Sequence, residues 1–457
     1  MKTKLAIIAC LLLCSCSSVV ERKPVSAPPP LPSGLVPKAR AGAVVVDSDW
    51  LPIAGSGSVY AENIARRSDG LHAFVSTAGV FLWKNAGELA QYPLPDFVHS
   101  SPDCDFAGQK LVLADIGVGI GRNGPLQIAE LDVETMDFAV VFEMGDTNSR
   151  QPVVRGLASG GCVVVSWTSA NSSSFDIAYK SPFTGQWSAL HHDHAPVGIP
   201  ASNWTVAQGT DGLIYVFGVH DFATQIMLFR FAEGAMGLTF VDEDLLFFEG
   251  YPHNGVYSEF APMGEVPYLN AQVDRTRGRV VIGYQRFQYT WDCGVIQSPA
   301  LVAAVYPDKR KELLFNVEEW SGHGYPLFVF PRPDRIYYAM TRRNNSPCSN
   351  VERFFFSGGW GDAAACNPFL AASFDGWIVR RKINADWSET YELGKLPLPP
   401  RVKVKDLGEQ IEVKWDQQTL TDKLEASDDL GSWSVVYVGP PPYVVDKGAG
   451  KFYRVRP

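Results

Sequence analysis

The sequence predicts an all-β protein, most of it one four-stranded unit repeated along the chain. Three observations lead there. The 457 residues include 32 Pro, 41 Gly and 12% aromatic residues against only 7 Met, a turn-rich and aromatic-rich composition that suits strands better than helices. A turn containing Gly or Asp, followed at once by a short apolar strand, recurs along the chain. Each copy precedes a strand-length hairpin, and apolar positions at the 3.6-residue period of a helical solenoid are not found. With 46% apolar and 19% charged residues, the chain can bury a large core.

The first element is a leader. Lys2 and Lys4 precede the apolar run Leu5–Leu13, which is too short to span a bilayer. Leu13-Cys14-Ser15-Cys16 then resembles a bacterial lipobox, which implies that Cys16 is lipidated and becomes the mature N-terminus. Residues 1–16 are therefore expected to be a lipoprotein-type signal peptide including that cysteine. The expected location is export, with an outer-membrane lipid anchor, or secretion if the cysteine is not lipidated. Residues 17–42 are rich in Pro and small residues and read as a tether.

The repeated body is expected over 43–397. Its turn-strand segments are SDGLHAFVS (68–76), FAGQKLVLAD (106–115), SGGCVVVSW (159–167), TDGLIYVFG (210–218), TRGRVVIGY (276–284) and RPDRIYYAM (332–340). The hairpins after them run from VFLWKNAGELAQYPL in the first unit to GWIVRRKINADWSETYEL in the last. A single four-stranded sheet cannot cover both its faces, but sheets stacked around an axis cover each other. The expected architecture is a β-propeller of about six blades, with a strand from AGAVVVDSDW (41–50) or a seventh, degenerate blade near the closure. After the LPLPP hinge (396–400), the short strands of 398–457 predict a small C-terminal β-sandwich. In it Trp433, Phe452 and Tyr453 read as core.

Residues 50–395 resemble the BNR or sialidase-like propeller superfamily, through the "DG-x-hydrophobic" turns and an eroded Asp-box at Ser181, Gly185 and Trp187. Ser427, Asp429, Gly431 and Trp433 look closer to that box but fall outside the propeller. KLEASDDLGSWSVVYVG followed by GKFYRVRP resembles a fibronectin-like β-domain carried by many secreted bacterial proteins. The superfamily implies a glycan hydrolase with three arginines, a Tyr/Glu nucleophile pair and an acidic proton donor. The segment that normally carries the first arginine is not found, and Arg66-Arg67 sits at a turn expected on the opposite end. Glu259, near Tyr257, is the best local acid.

In such a repeat, the connections from second to third strand and from fourth to the next first strand leave from one end. These are the long ones here, and they gather seven of the eight histidines, leaving His72 in a strand. The expected ligand-binding residues are His194, His220, His253, Tyr284, Arg286, Trp291 and Arg342. Imidazoles and guanidinium groups suit polar or anionic ligands, and the aromatic rings suit sugar faces. Tyr289, Arg343 and Trp360 belong to the same loops. His191-His192-Asp193-His194 has ligand-type residues, but adjacent side chains rarely aim at one ion, so no metal is expected, and no cofactor. Export makes a disulfide plausible, and Cys348 with Cys366 is the favoured pair, Cys293 competing. Cys104 and Cys162 complete an odd set of five, so at least one thiol stays unpaired within the chain.

A formal charge of −9 without a basic cluster speaks against nucleic acid. The expected partners are a carbohydrate or other polar ligand, and a membrane only through the lipid. Three functions follow: an exported propeller lipoprotein that binds a glycan, a glycan-processing enzyme (a sialidase-like hydrolase or a His/Tyr lyase) on the same face, or a structural subunit of an envelope assembly.

Overall fold

The structure is a computed structural model. It describes residues 40–41, 50–53, 63–116, 124–147, 152–167, 174–193, 204–220, 225–246, 268–317, 327–396 and 402–456, with short interruptions inside several of these spans. The leader, most of the tether, Cys16, Cys348 and Cys366 lie outside the described residues. Every described element is a strand or a tight turn apart from Glu88, a lone 3-10 residue. The protein is all-β, and its body is a β-propeller of antiparallel sheets.

Sheet 1 spans Ala65–Arg66, His72–Ser76, Gly79–Trp83 and Ala90–Tyr92. Sheet 2 spans Asp103–Ala107, Lys110–Ile116, Gly124–Asp132 and Asp137–Thr147. Sheet 3 spans Val153–Gly156, Cys162–Trp167, Ser174–Lys180 and Trp187–Asp193. Sheet 4 spans Trp204–Gln208, Ile214–His220, Gln225–Gly234 and Gly237–Leu246. Sheet 5 spans Tyr268–Asp274, Arg279–Gln285, Ala300–Val305 and Lys311–Val317. Sheet 6 is built on Leu327–Pro331, Ile336–Arg343 and Asn350–Phe356. Sheet 7 takes Phe369–Ala372, Trp377–Ile383 and Glu389–Lys395, and its fourth strand, Leu51–Ile53, comes from the other end of the chain.

Seven sheets thus follow one another among the described residues, where the repeats suggested about six and left open a seventh, degenerate blade near the closure. The difference lies in one segment. GWIVRRKINADWSETYEL, read as the outer hairpin of the last unit, instead forms the middle of sheet 7. Its inner turn, Ser373–Gly376, carries the same Asp-Gly pair, Asp375-Gly376, as the turns at 69–70 and 211–212.

Within each unit the first strand lies innermost. Polar side chains on these inner strands tie neighbouring sheets together. The Asp103 carboxylate accepts from the Val154 amide at 2.8 Å, Asp105 from Gly156 at 2.9 Å, and the Asn270 side-chain oxygen from Val329 at 3.2 Å. Gly156 is required there, because a Cβ would lie 1.9 Å from the Phe106 carbonyl oxygen. The inner turns explain the repeat: Gly160 and Gly212 have φ of 91° and 82°, which a side-chain-bearing residue adopts at a cost.

The core lies between the sheets. Phe175, Phe229 and Phe231 fill the seam between sheets 3 and 4, and Phe217, Ile282 and Leu301 the seam between sheets 4 and 5. Fully burying one such side chain contributes about 1.5–3 kcal/mol. Phe74, Phe81, Trp83, Trp377 and Leu393 close the ring between sheets 1 and 7. Beyond residue 401, two three-stranded sheets share a small core around Val413 and Leu424, with Tyr453 packed against it.

Candidate functional site

The meander fixes two unlike ends. Turns from first to second strand and from third to fourth strand are short, such as Arg67–Leu71, Leu157–Gly161 and Ser181–Gln186. The opposite end carries the longer connections. His220 closes the second strand of sheet 4, Tyr284 is the penultimate residue of the second strand of sheet 5, and Arg342 is the penultimate residue of the second strand of sheet 6. These three residues therefore stand at corresponding places at the same end of consecutive sheets. Tyr284 is 1% exposed and packs in the apolar seam of sheets 4 and 5. His194, His253, Arg286 and Trp291 lie outside the described residues.

Three histidines read as loop residues belong to strands, His220 among them. His191 and His192 sit in Trp187–Asp193, so His72 is not the sole strand histidine. Alternation along a strand sends neighbouring side chains to opposite faces. The His192 ring packs against Phe175, Phe229, Phe231 and Phe240 on the sheet 4 side. The His191 ring pairs instead with Asp176, Nδ1 to Oδ1 at 2.6 Å. The two imidazoles cannot share one ion. Among the described residues no group of three or more His, Cys, Asp or Glu is arranged to hold a metal. Burial pushes the Asp176 carboxyl upward, and the hydrogen bond from His191 opposes that push.

A second histidine–aspartate pair lies at the short-turn end, where the ring closes. His72 Nε2 is 3.2 and 3.0 Å from the two carboxylate oxygens of Asp375. The Ser373 hydroxyl donates to Asp375 at 2.6 Å, and Arg66 Nε lies 3.4 Å away. Trp83 stacks on the His72 ring at 5.4 Å, with Trp377 edge-on at 5.8 Å. Despite the cost of burial, His72 and then Arg66 hold the Asp375 carboxyl well below the usual carboxylate range. Ser, Asp and His meet here without the order of a hydrolytic triad, since the serine binds the carboxylate and not the imidazole. His72 and Asp375 are both about 5% exposed or less, so a ligand has no access to the pair. Sequence reading missed it because the partners are 303 residues apart. The Asp-Gly turn at Asp375 was the available signal.

Other polar groups belong to the scaffold. Arg67, at the short-turn end as expected, is held by Asp69 and Glu134. Burial pushes the Asp105 carboxyl up to about 6, with Arg155 opposing. Cys104 and Cys162 are free and buried, and burial raises both thiols well above their ordinary range. Ser181 and Gly185 lie in the tight turn between the third and fourth strands of sheet 3, and Trp187 begins the fourth strand.

No protein-family model matches this chain, and no curated protein matches it in sequence. Solved structures similar to it include an ulvan lyase of polysaccharide lyase family PL25, at 11% identity and TM-score 0.41, covering 70% of this chain and 79% of that one. A chain of the mitotic checkpoint complex is similar at 11% identity and TM-score 0.40, covering 82% and 97%. A Dyadobacter fermentans protein of unknown function is similar at 11% identity and TM-score 0.39, covering 75% and 100%.

Proposed function

We propose that this protein is an exported propeller lipoprotein that binds a polar ligand, a glycan, at the end carrying the long connections. The observation that supports the reading most is that His220 and Arg342 stand at that one end of the second strands of sheets 4 and 6, with Tyr284 at the matching place in sheet 5 buried in the seam. A rigid scaffold that presents long loops at one end is the usual setting for recognition. The opposite end is occupied by short turns, where polar side chains serve the fold, as in the Arg67–Asp69 pair. Lipidation at Cys16 rests on the leader and the Pro-rich tether.

A glycan array probed with the full chain tests the ligand class. His220→Ala, Arg286→Ala and Arg342→Ala are expected to weaken binding of the best-scoring glycan while leaving the melting temperature close to that of the native protein. Absence of binding to any glycan overturns the reading. Cys16→Ser is expected to move the protein from the membrane fraction to the soluble one.

A further inference from the structure

We propose that Arg155 and Asp103 form a sugar subsite beside the propeller axis, taking two neighbouring hydroxyls of a neutral glycan; this rests on the glycan reading above. Arg155 belongs to Val153–Gly156, the innermost strand of sheet 3. Val153 packs with residues of sheet 4 and Val154 with residues of sheet 2, so alternation starts the Arg155 side chain on the sheet 4 face. Its Nη1 nevertheless reaches sheet 2, where it donates to Asp103 Oδ2 at 3.1 Å. To do so, the side chain crosses the free edge of its strand. Nη1 also donates to the Val154 carbonyl oxygen at 2.6 Å, and the Val154 amide donates to Asp103 at 2.8 Å, so both backbone groups of Val154 leave from that edge. In a ring of blades, the free edge of an innermost strand borders the central channel. Asp103 opens the innermost strand of sheet 2, which begins at the long-connection end.

The fold uses only part of this pair. Nη1 of Arg155 is committed, whereas Nε and Nη2 have no partner among the described residues. These two nitrogens form the side-on edge of the guanidinium, a fork of two N–H donors. The Arg155 side chain is 12% exposed and that of Asp103 7%. Asp103 Oδ1 is buried without a hydrogen-bond partner. A sugar hydroxyl both accepts and donates. Two of them on adjacent ring carbons can accept from Nε and Nη2, and one can donate to Asp103 Oδ1. Arg230 shows the contrast, since it spends the same side-on edge on Asp242 and its Nη1 on the Pro307 carbonyl oxygen.

Charge selects a neutral glycan over an acidic one. Asp103 and Asp105 both stand close to Arg155, and burial raises both carboxyls while Arg155 opposes it. Two carboxylates thus share one guanidinium. A uronate would add a third negative charge where water screens charges poorly, whereas hydroxyls add none.

The test uses the full chain with hexasaccharides of glucose, mannose and galactose, beside a uronate hexasaccharide, and measures binding by calorimetry. Arg155→Lys keeps the charge opposite Asp103 but removes the side-on edge. It is expected to lower affinity for the best-bound neutral hexasaccharide roughly ten-fold, with the melting temperature close to native. A diazirine analogue of that hexasaccharide gives a readout on the native protein, where it should label residues 103–106 and 153–156. Labelling confined to other segments, or tighter binding of the uronate than of any neutral hexasaccharide, overturns the subsite. If His220→Ala weakens binding but Arg155→Lys does not, the subsite is wrong and the glycan reading stands. If the native protein binds no glycan, both are wrong.

Discussion

The seam between sheets 4 and 5 and the seam between sheets 7 and 1 do the same job by different means. The first is apolar through its depth, from Ala207 and Phe217 to Ile282 and Val305. Its polar contacts stay at the short-turn end, where Arg230 holds Asp242 and reaches the Pro307 carbonyl oxygen at 2.7 Å. The second seam joins the two ends of the propeller chain. It has an apolar core too, but embeds His72, Asp375, Ser373 and Arg66 within it. A backbone ladder is added, with Leu51 opposite Leu393 and Ile53 opposite Tyr391. Apolar contact is non-directional and tolerates sliding, whereas hydrogen bonds and strand pairing specify register. Sheets 4 and 5 are held close by the chain that joins them. Sheets 7 and 1 meet only after the intervening chain has folded, so directional contacts select the right partner.

The comparison can be broken most directly at Asp375. Asp375→Ala leaves the buried His72 and the half-buried Arg66 beside a missing carboxylate, and is expected to cost about 3–5 kcal/mol in denaturant unfolding. A loss under about 1 kcal/mol would make the clasp an ornament of an apolar seam. Ile53→Ala should cost about 2–4 kcal/mol by deleting a buried side chain from the closing strand. Hydrogen exchange locates that effect: amides of 391–393 should exchange faster, while those of 279–284 keep their protection. Equal loosening at both places would mean that the ring yields as a whole.

Acid sharpens the same contrast. The Asp375 carboxyl is held below its ordinary value, so its contribution is complete above the unfolded carboxylate range near pH 4 and is lost as pH falls below it. Asp242 is lowered to about 2 by Arg230 and Lys309, but its side chain is 27% exposed, so its ion pair is worth less. Between pH 7 and pH 3 the melting temperature should fall less in Asp375→Asn than in the native protein. Asp242→Asn should change that fall less. Asp105 has the opposite sign. Its carboxyl is raised to about 6, so ionisation is a cost that grows as pH rises from about 4 to about 6. Asp105→Asn is expected to stabilise the protein modestly above pH 6, with the gain vanishing toward pH 4. A gain that persists at pH 4 would trace to something other than the buried charge.

Much of the scaffold was legible because its causes are local. The turn glycines at 160 and 212, the apolar strand after each turn and the alternation within it mark one unit at a time. The last sheet escaped because its fourth strand, Leu51–Ile53, lies far from the other three in sequence. The candidate site was legible only as a choice of end. His220, Tyr284 and Arg342 were assigned to it by counting strands, but burial of Tyr284 in a seam depends on which face of its strand meets sheet 4. The two adjacent histidines of sheet 3 make the same point, since a loop reading gives them one environment and a strand gives them two.

By itself the sequence determined the all-β class, the repeating unit and the asymmetry between short and long connections, because turn chemistry and period-two patterning act over a few residues. Only the tertiary structure decided how the ring closes, which histidine meets which aspartate, and which of those pairs is sealed from solvent. Those outcomes depend on sheets brought together from distant parts of the chain. His72 with Asp375 spans 303 residues, and no local pattern encodes a partner at that distance.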